Sequence, residues 1–268
     1  MHDELGRKKG PMLQNKVALV TGAGRGIGRA TAIRLAQAGS HDVVLLSRNV
    51  TELAEVASQV EACGRRSLVI VADVTADACA EDTVDQIRKK FGRLDILINN
   101  AGIAGPLGPV AEMGMAAWLR CFQVNLHAPV AFCKAALGLM REGRIINVAS
   151  GAGTFPIPYF SAYVSSKCAL IRFSEILAKE VADRGIKVFA IEPGTVRTSL
   201  AEQTLQLPDA PKWMPWFQDL FTQGRDIPVA QAAEFIYQLA SGKVDQKSGQ
   251  FCIVDGRSGS LQFVETGS

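Results

Sequence analysis

The sequence lacks the features that mark membrane-spanning, metal-binding and secreted proteins. None of the apolar runs in its 268 residues approaches the roughly eighteen residues that a membrane-spanning helix needs. The first residues, MHDELGRKKG, contain no apolar segment like that of a signal peptide. The 6 cysteines include no Cys-x-x-Cys pair, so the sequence indicates neither a disulfide framework nor a metal site. We therefore expect a cytoplasmic protein with reduced cysteines, no bound metal and no membrane anchor.

The sequence also lacks a strong excess of charge. Its formal net charge is +3, and its basic block is confined to Arg7–Lys9 near the N-terminus, so nucleic-acid binding is not indicated. Hydrophobic residues make up 48% and charged residues 21% of the chain, which is ordinary for a soluble globular protein. Strand and helix patterns alternate without an internal repeat. We predict a flexible N-terminal tail over residues 1–12 and a single α/β domain over residues 13–268.

A glycine-rich loop follows the first predicted strand. The apolar run Val17–Thr21 leads directly into GAGRGIG and then into the helix pattern RATAIRLAQAG. Glycines at such a turn let the backbone approach a pyrophosphate, whose negative charge the amide groups at the helix N-terminus favour. A plain tight turn is the alternative, but four alternating glycines exceed what a turn requires. The predicted cofactor-binding residues of this loop are Gly22, Gly24, Arg25, Gly26, Ile27 and Gly28.

The end of the second predicted strand indicates which dinucleotide is bound. Val43–Ser47 ends about twenty residues beyond the glycines, and Arg48 follows it. An acid at this position accepts a hydrogen bond from the ribose of NAD, whereas an arginine accommodates the 2′-phosphate of NADP. Ser47 and Arg48 therefore predict NADP(H), with Arg25 as a second cation. Solvated surface arginines are the competing interpretation.

Other predicted strands also end in polar or glycine-containing turns. Ligands of open α/β sheets bind at the carboxyl ends of the strands, so we expect these turns to line the same cofactor site. The third strand ends beside the expected adenine pocket, the fourth ends in NNAG, and the sixth ends in PGTVRT. The residues predicted to bind cofactor at these three ends are Asp73 and Val74; Asn99, Ala101 and Gly102; and Pro193, Gly194, Val196 and Thr198.

A serine, a tyrosine and a lysine follow the fifth predicted strand. Ser150 lies at the end of the apolar run Arg144–Ala149, and Ser161 can cap a helix that reaches about Arg184. Tyr163 and Lys167 are four residues apart on that helix, so they share one face. The spacing predicts that the lysine ammonium lowers the pKa of the tyrosine. A bare Tyr-x-x-x-Lys also occurs on ordinary helix faces, but the serine thirteen residues upstream favours a catalytic site.

An asparagine interrupts the apolar face of a long predicted helix over residues 115–141. Asn125 precedes Pro129, which should kink this helix. A buried asparagine needs hydrogen-bond partners, so Asn125 either caps a carbonyl freed at the kink or binds a water of the site.

Residues 199–228 are rich in proline and aromatic side chains and lose the helical period. An apolar, proline-broken segment next to a strand end is typical of a substrate lid, and a subunit contact is the competing interpretation.

From about Leu13 to Gly256 the chain resembles the short-chain dehydrogenase/reductase family. TGAGRGIG is similar to that family's cofactor loop, NNAG at 99–102 to its structural motif, and PGTVRT at 193–198 to its nicotinamide-side turn. The residues that match the family's catalytic tetrad are Asn125, Ser150, Tyr163 and Lys167.

This resemblance implies a doubly wound Rossmann-type α/β fold, with a seven-stranded parallel sheet of order 3-2-1-4-5-6-7 and helices on both faces. It implies hydride transfer between a nicotinamide and a ketone or secondary alcohol, with Tyr163 as acid/base and Ser150 holding the carbonyl oxygen. Lys167 would bind the nicotinamide ribose and lower the tyrosine pKa, and Asn125 would anchor a water. A homodimer or homotetramer through the helices of residues 115–141 and 161–184 is also implied.

Two alternatives remain open for the activity. The first is a 3-ketoacyl-carrier-protein reductase. The aromatic segment 199–228 opposes it, as does Arg257 after Asp255 and Gly256, where those enzymes usually repeat glycine. The second is a sensor that binds NADP without turnover, which the complete tetrad opposes.

Overall fold

The computed structural model describes residues 16–39, 41–207, 209–255 and 260–264. The predicted tail over residues 1–12, together with Gly256 and Arg257, lies outside them. The strands are β1 Lys16–Thr21, β2 His41–Ser47, β3 Ser67–Val71, β4 Ile96–Asn99, β5 Gly143–Val148, β6 Ile186–Glu192, β7 Phe251–Asp255 and β8 Ser260–Val264.

The helices are α1 Gly26–Gln37, α2 Val50–Ala62, α3 Cys79–Phe91, α4 Met115–Phe122, α5 Ala128–Leu137, α6 Ser161–Glu180, α7 Ser199–Leu205, α8 Ala210–Trp213, α9 Pro215–Thr222 and α10 Val229–Ser241. Short 3₁₀ turns lie at Val110–Glu112, Gly151–Thr154, Ala182–Arg184 and Asp245–Lys247. Among the described residues, no helix is both long and apolar enough to span a membrane.

One eight-stranded sheet organises the fold, in the order β3-β2-β1-β4-β5-β6-β7-β8. The first seven strands are parallel and lie in the predicted order, so the Rossmann-type prediction is confirmed. The eighth strand was not predicted. It pairs antiparallel with β7, from Phe251 opposite Val264 to Asp255 opposite Ser260.

The core lies on both faces of this sheet, which explains why its strands are continuous apolar runs. On one face, Val20 and Leu45 pack with side chains of α1, α2 and α10, including Phe235. On the other face, Leu19 and Val44 pack with side chains of α3, α5 and α6. Burial on both faces fixes the strand register and holds the carboxyl strand ends along one edge.

The single long helix predicted over residues 115–141 is wrong in detail. A π-helical turn, Gln123–His127, separates α4 from α5. Pro129 lies in the first turn of α5, where the lack of a proline N–H is tolerated, so the irregularity precedes the proline. Asn125 lies in the middle of the π turn and is fully buried.

Candidate active site

The glycine loop joins β1 to α1 in a turn whose glycines occupy positions unsuited to a side chain. A Cβ placed on Gly28 would lie 2.2 Å from the carbonyl oxygen of Gly22. Gly22 and Gly26 have positive φ values of 64° and 54°, a region that L side chains rarely adopt. The turn therefore brings the N-terminus of α1 to the sheet edge without glycine side chains between its backbone and a ligand, which fits a pyrophosphate.

Asn100 holds this loop in place, and the sequence analysis missed it. Its Nδ2 donates to the carbonyl oxygens of Thr21 (2.9 Å) and Gly22 (3.2 Å). The Thr21 hydroxyl accepts the N–H groups of Asn100 (3.0 Å) and Ala101 (3.1 Å). Asn99, the residue that was predicted, is buried and donates to Asn147 Oδ1 at 2.8 Å. Adjacent strand residues face opposite ways, which explains the difference.

The sixth strand end meets the glycine loop from the opposite side. Gly194 has a φ of 88°, so the chain turns sharply after Pro193. The methyl carbon of Thr198 lies 3.3 Å from the point where a Cβ on Gly26 would be, and Val196 is buried. The structure thus brings these two predicted cofactor loops together.

The predicted adenine pocket contains an ion pair. The carboxylate of Asp73 accepts hydrogen bonds from Thr75 N (3.0 Å) and Oγ1 (2.7 Å) and pairs with Arg120 at 2.8 Å. Burial raises the pKa of Asp73, but these hydrogen bonds and the Arg120 charge outweigh it and hold the pKa below its usual value. Val74 packs beside it against the core.

The predicted 2′-phosphate corner is solvated. The Arg48 side chain is 70% exposed, with Nη1 3.9 Å from Asp73 Oδ2, and Arg25 is also exposed. A residue that the sequence analysis missed, Glu52 of α2, reaches the glycine loop here. A Cβ placed on Gly24 would lie 2.7 Å from Glu52 Oε2.

Ser150, Tyr163 and Lys167 converge where β5 ends and α6 begins. Ser150 caps the 3₁₀ turn Gly151–Thr154, its hydroxyl accepting from Ala152 N at 3.2 Å, and it hydrogen-bonds the Tyr163 side chain. Lys167 is 5% exposed, and its Nζ donates to the Val148 carbonyl at 2.8 Å. The same Nζ lies 5.7 Å from the centre of the Tyr163 ring. The predicted cluster therefore forms.

Burial shifts the pKa values of these two side chains in opposite directions, because in each case it disfavours the charged form. The pKa of Tyr163 is raised to about 12, chiefly by burial and to a smaller extent by the neighbouring Cys121 and Glu192, while the Ser150 hydrogen bond acts in the opposite direction. Burial lowers the pKa of Lys167 to about 8. The expectation that Lys167 lowers the tyrosine pKa is therefore wrong here. Desolvation is the largest effect on the pKa of Tyr163, and the Lys167 ammonium donates its hydrogen bond to the Val148 carbonyl.

Asn125 binds the loop after β4 through both ends of its amide. Its Oδ1 accepts from Ile103 N at 2.9 Å, while its Nδ2 donates to Ile103 O (2.9 Å) and Ser166 Oγ (3.1 Å). The carbonyl that it caps therefore belongs to this loop and not to the helix irregularity. A Cβ on Gly102 would lie 3.3 Å from Asn125 Oδ1 and 3.7 Å from Lys167 Nζ, so these three residues are neighbours.

Glu192, an acid to which the sequence analysis gave no role, lies beside the turn that Ser150 caps. The Glu192 carboxylate at the end of β6 covers Gly151, where a Cβ would be 2.4 Å from Oε2. Burial raises the pKa of Glu192, although the N–H of Gly151 donates to it and lowers the pKa. An acid directly before a Pro-Gly strand end was the available signal.

Apolar side chains from three segments surround the exposed side of Tyr163. Met214 and Phe217 come from the predicted lid segment and contact Ile157 and Phe160. The rings of Tyr159 and Trp213 pack against each other with 4.0 Å between their centres and a tilt of 33°. The cluster also includes Ala104, Leu107, Ala152 and Val164.

The described residues contain no group of three or more His, Cys, Asp or Glu side chains that could hold a metal ion. They do fit a nicotinamide dinucleotide. The glycine loop brings the N-terminus of α1 to one end of the site, and Tyr163 and Lys167 lie at the other.

Residues 16–207 match the family profile described as short chain dehydrogenase, and the chain belongs to the short-chain dehydrogenase/reductase family of oxidoreductases. A short chain dehydrogenase of Pseudocercospora fijiensis is 36% identical over 193 residues, which cover 70% of this chain and 62% of that protein. The short chain dehydrogenase/reductase astE of Aspergillus oryzae is 40% identical over 200 residues, covering 72% and 76%. The 3-oxoacyl-[acyl-carrier-protein] reductase of Synechocystis is 39% identical over 197 residues, covering 71% and 78%.

Solved structures share the fold. An actinorhodin polyketide ketoreductase variant with NADPH has a TM-score of 0.82 and 28% identity, covering 91% of this chain and 97% of that one. An NAD⁺-bound xylitol dehydrogenase has a TM-score of 0.81 and 30% identity, covering 91% and 99%. Similar proteins therefore bind either cofactor.

Proposed function

We propose that this protein is an NADP(H)-dependent carbonyl reductase, which interconverts a ketone and a secondary alcohol with Tyr163 as the acid/base. The observation that carries the proposal is the convergence of Ser150, Tyr163 and buried Lys167 at the edge of the sheet that also holds the glycine loop. Its location is proposed to be cytoplasmic.

Each of the four residues of the tetrad has a separate role in the proposed reaction. When bound, the nicotinamide supplies or accepts the hydride. Ser150 holds the carbonyl oxygen, and Tyr163 donates a proton to that oxygen as negative charge develops on it. With a pKa of about 12 the phenol of Tyr163 is protonated at neutral pH, as a proton donor must be, but it is a weaker acid than an unperturbed tyrosine. Lys167 binds the nicotinamide ribose, and Asn125 fixes the adjoining loop and anchors a proton-relay water.

The preference for NADP(H) is supported by the charges at the end of β2. Ser47 and exposed Arg48 come at the strand end where an arginine accommodates a ribose 2′-phosphate in dinucleotide-binding folds, and exposed Arg25 lies in the glycine loop. A guanidinium can hold a phosphate through paired hydrogen bonds. The remaining proposed cofactor contacts are Gly22, Gly24, Gly26, Ile27, Gly28, Asp73, Val74, Asn99, Ala101, Gly102, Pro193, Gly194, Val196 and Thr198. Of these, Asn99 can contribute its backbone, since its side chain is buried in the sheet.

The substrate is proposed to be an apolar ketone. The cluster around Tyr163 offers aliphatic, aromatic and thioether surface, and residues 199–228 form its lid. A 3-ketoacyl-carrier-protein reductase is the second candidate, favoured by the 39% identity to the Synechocystis enzyme. Steady-state oxidation of NADPH over a panel of aryl ketones, diketones, ketoesters and an acyl thioester separates the two. A protein that binds NADPH and turns over none of them would instead be a sensor.

A homodimer or homotetramer is proposed through α4, α5 and α6. Met115 (61% exposed) and Leu119 (49%) on α4, and Ile176 (49%) on α6, present large apolar side chains at the surface. Such a surface is typical of a subunit contact.

The proposed role of Tyr163 is tested by Tyr163→Phe. Turnover should fall by about 10²–10⁴-fold while the Kd for NADPH stays within about twofold, because only the proton donor is lost. Tyr237→Phe is the matched control, since the Tyr237 ring on α10 packs under Arg34 of α1. A phenylalanine variant that keeps more than a few per cent of the wild-type kcat would contradict the assignment.

A further inference from the structure

The carboxylate of Glu52 lies at the junction of the glycine loop and the second strand. The point where a Cβ on Gly24 would stand is 2.7 Å from Glu52 Oε2, 3.0 Å from Glu52 Cβ and 3.0 Å from Ser47 Oγ. Gly24 is buried, and Glu52 is partly buried. An acid, a hydroxyl and a glycine backbone therefore converge on one point.

The start of α2 fixes this placement. Asn49 caps the helix, and its Oδ1 accepts the N–H groups of Thr51 (3.0 Å) and Glu52 (3.2 Å). In a capping box the glutamate at this position would reach back to the N–H of the cap. Here that N–H donates to Ser47 Oγ at 3.4 Å, and the Glu52 side chain extends towards Gly24 instead.

This corner is where dinucleotide-binding folds distinguish the two cofactors. An acid near the strand end accepts from the ribose 2′-hydroxyl of NAD, and an arginine accommodates the 2′-phosphate of NADP. The position that normally carries the acid is Ser47 in this chain, but Glu52 brings a carboxylate to the same place from the next helix. Arg48 stands beside it. The chain thus has both an acid and a cation at one corner.

We propose that Glu52 is a specificity-determining residue for the cofactor, which opposes Arg48 by repelling a 2′-phosphate and accepting from a free 2′-hydroxyl. The inference rests on the proposed dinucleotide-dependent function. A phosphate monoester carries about −1.5 to −2 charges at neutral pH, so a carboxylate within a few ångströms works against it. The preference for NADP(H) over NAD(H) that Arg48 creates is therefore smaller than it would be without the Glu52 carboxylate.

The test is cofactor affinity in the absence of substrate. The Kd values of NADPH and NADH are measured by nicotinamide fluorescence for wild type and Glu52→Gln at fixed ionic strength. Glutamine keeps the size and removes the charge, so we expect NADPH to bind about three- to tenfold more tightly and NADH to bind equally or more weakly. Glu52→Asp, which retains the charge on a shorter side chain, should give a ratio between the two.

Glu55→Gln is the matched control, because it removes the same charge one turn along the same helix, where Glu55 pairs with Arg29 at 3.5 Å. Its NADPH/NADH ratio should match wild type. Equal changes in Glu52→Gln and Glu55→Gln would overturn the proposal, since they would show a general charge effect. So would an unchanged ratio in Glu52→Gln.

These measurements also separate an error in the Glu52 proposal from an error in the proposed NADP(H) dependence. If wild type prefers NADH, the NADP(H) assignment is wrong, yet Glu52→Gln should still move the ratio towards NADPH. Arg48→Ala reports on the assignment itself and should weaken NADPH by about tenfold while leaving NADH within twofold.

Discussion

At the scale of single residues, burial shifts the pKa values of two residues of the site in opposite directions. Burial disfavours a tyrosinate and an ammonium alike, so it raises the pKa of Tyr163 to about 12 and lowers that of Lys167 to about 8. Sequence spacing reports that the two side chains share a helix face, but it does not report how much water either retains. That is why the sequence placed both residues correctly and predicted the sign of the tyrosine shift wrongly.

Glu192 gives this site a pH dependence that can be measured. Its negative charge raises the pKa of Tyr163, so Glu192→Gln should lower it, while the amide oxygen can still accept from Gly151. We expect kcat/KM for alcohol oxidation, which needs tyrosinate, to rise at a pH lower by about half a unit or more. The pH profiles of wild type and variant are compared over the alkaline limb.

The groups that face Tyr163 in this titration are Lys167 on its own helix, Cys121 on α4 and Glu192 on β6. Glu175→Gln is the control, because Glu175 is a second acid whose pKa burial raises, but it pairs with Arg172 on α6. Its profile should superimpose on that of wild type. A Glu192→Gln profile that also superimposes would mean that Glu192 acts only on local structure.

At the scale of elements, regular helices and strands can be predicted from the periodicity of the sequence, but the points where they are interrupted cannot. The apolar pattern over residues 115–141 continues through Asn125 because a π turn adds one residue without removing the helical character. β8 is a short edge strand whose pairing with β7 depends on a neighbour and not on its own composition. Glu52 was missed for a related reason, since it reaches the cofactor corner from a helix that follows the motif.

One of the contacts that hold the proposed lid segment is an aromatic pair that a single substitution removes. Tyr159 has a φ of 69°, unusual for a tyrosine, and its carbonyl accepts from Gly108 N at 2.8 Å while its ring packs against Trp213. Such a pair contributes about 0.5–1.5 kcal/mol. Trp213→Ala should therefore raise the KM for a bulky ketone by up to about tenfold and leave the KM for NADPH unchanged.

Trp216→Ala is the comparison for the lid, because that ring packs edge-on against Phe217 within the same segment. It should have the smaller effect on KM. Dissociation of the oligomer in Trp213→Ala on size-exclusion chromatography, with ketone KM values unchanged, would favour a subunit contact over a lid.

At the scale of the whole molecule, the strands were predictable because burial on both faces leaves a strong trace in the sequence, whereas their order in the sheet was implied by the family resemblance. β1, β2 and β4 are almost wholly buried, so each appears in the sequence as an uninterrupted apolar run that ends in a polar turn. The glycine loop was predictable because only glycine fits against the carbonyl of Gly22. Asn100 and Asn99 were confused because side-chain direction depends on register, which adjacent letters do not reveal.

The same burial that defines the fold makes it sensitive to acid through His41. This residue begins β2 and is fully buried, its Nδ1 3.3 Å from the Leu35 carbonyl, and burial lowers its pKa from 6.5 to about 4. The folded state therefore keeps the ring neutral while the unfolded chain protonates it below pH 6.5. The stability contributed by neutral His41 is complete above that pH and is lost as the pH falls towards 4, by about 1.4 kcal/mol per unit.

Urea unfolding at pH 7.5, 6.0 and 5.0 checks this expectation by comparing wild type with His41→Gln. The variant should be less stable at pH 7.5, since glutamine replaces a packed ring, but its free energy of unfolding should fall less steeply between pH 6.5 and 5. The slopes are compared between proteins because Asp42 and Asp73, whose pKa values are lowered, also contribute at lower pH. His127→Gln, at an exposed position on the π turn, is measured alongside as the same substitution outside the core. Parallel slopes for wild type and His41→Gln would show that His41 is not the group that titrates.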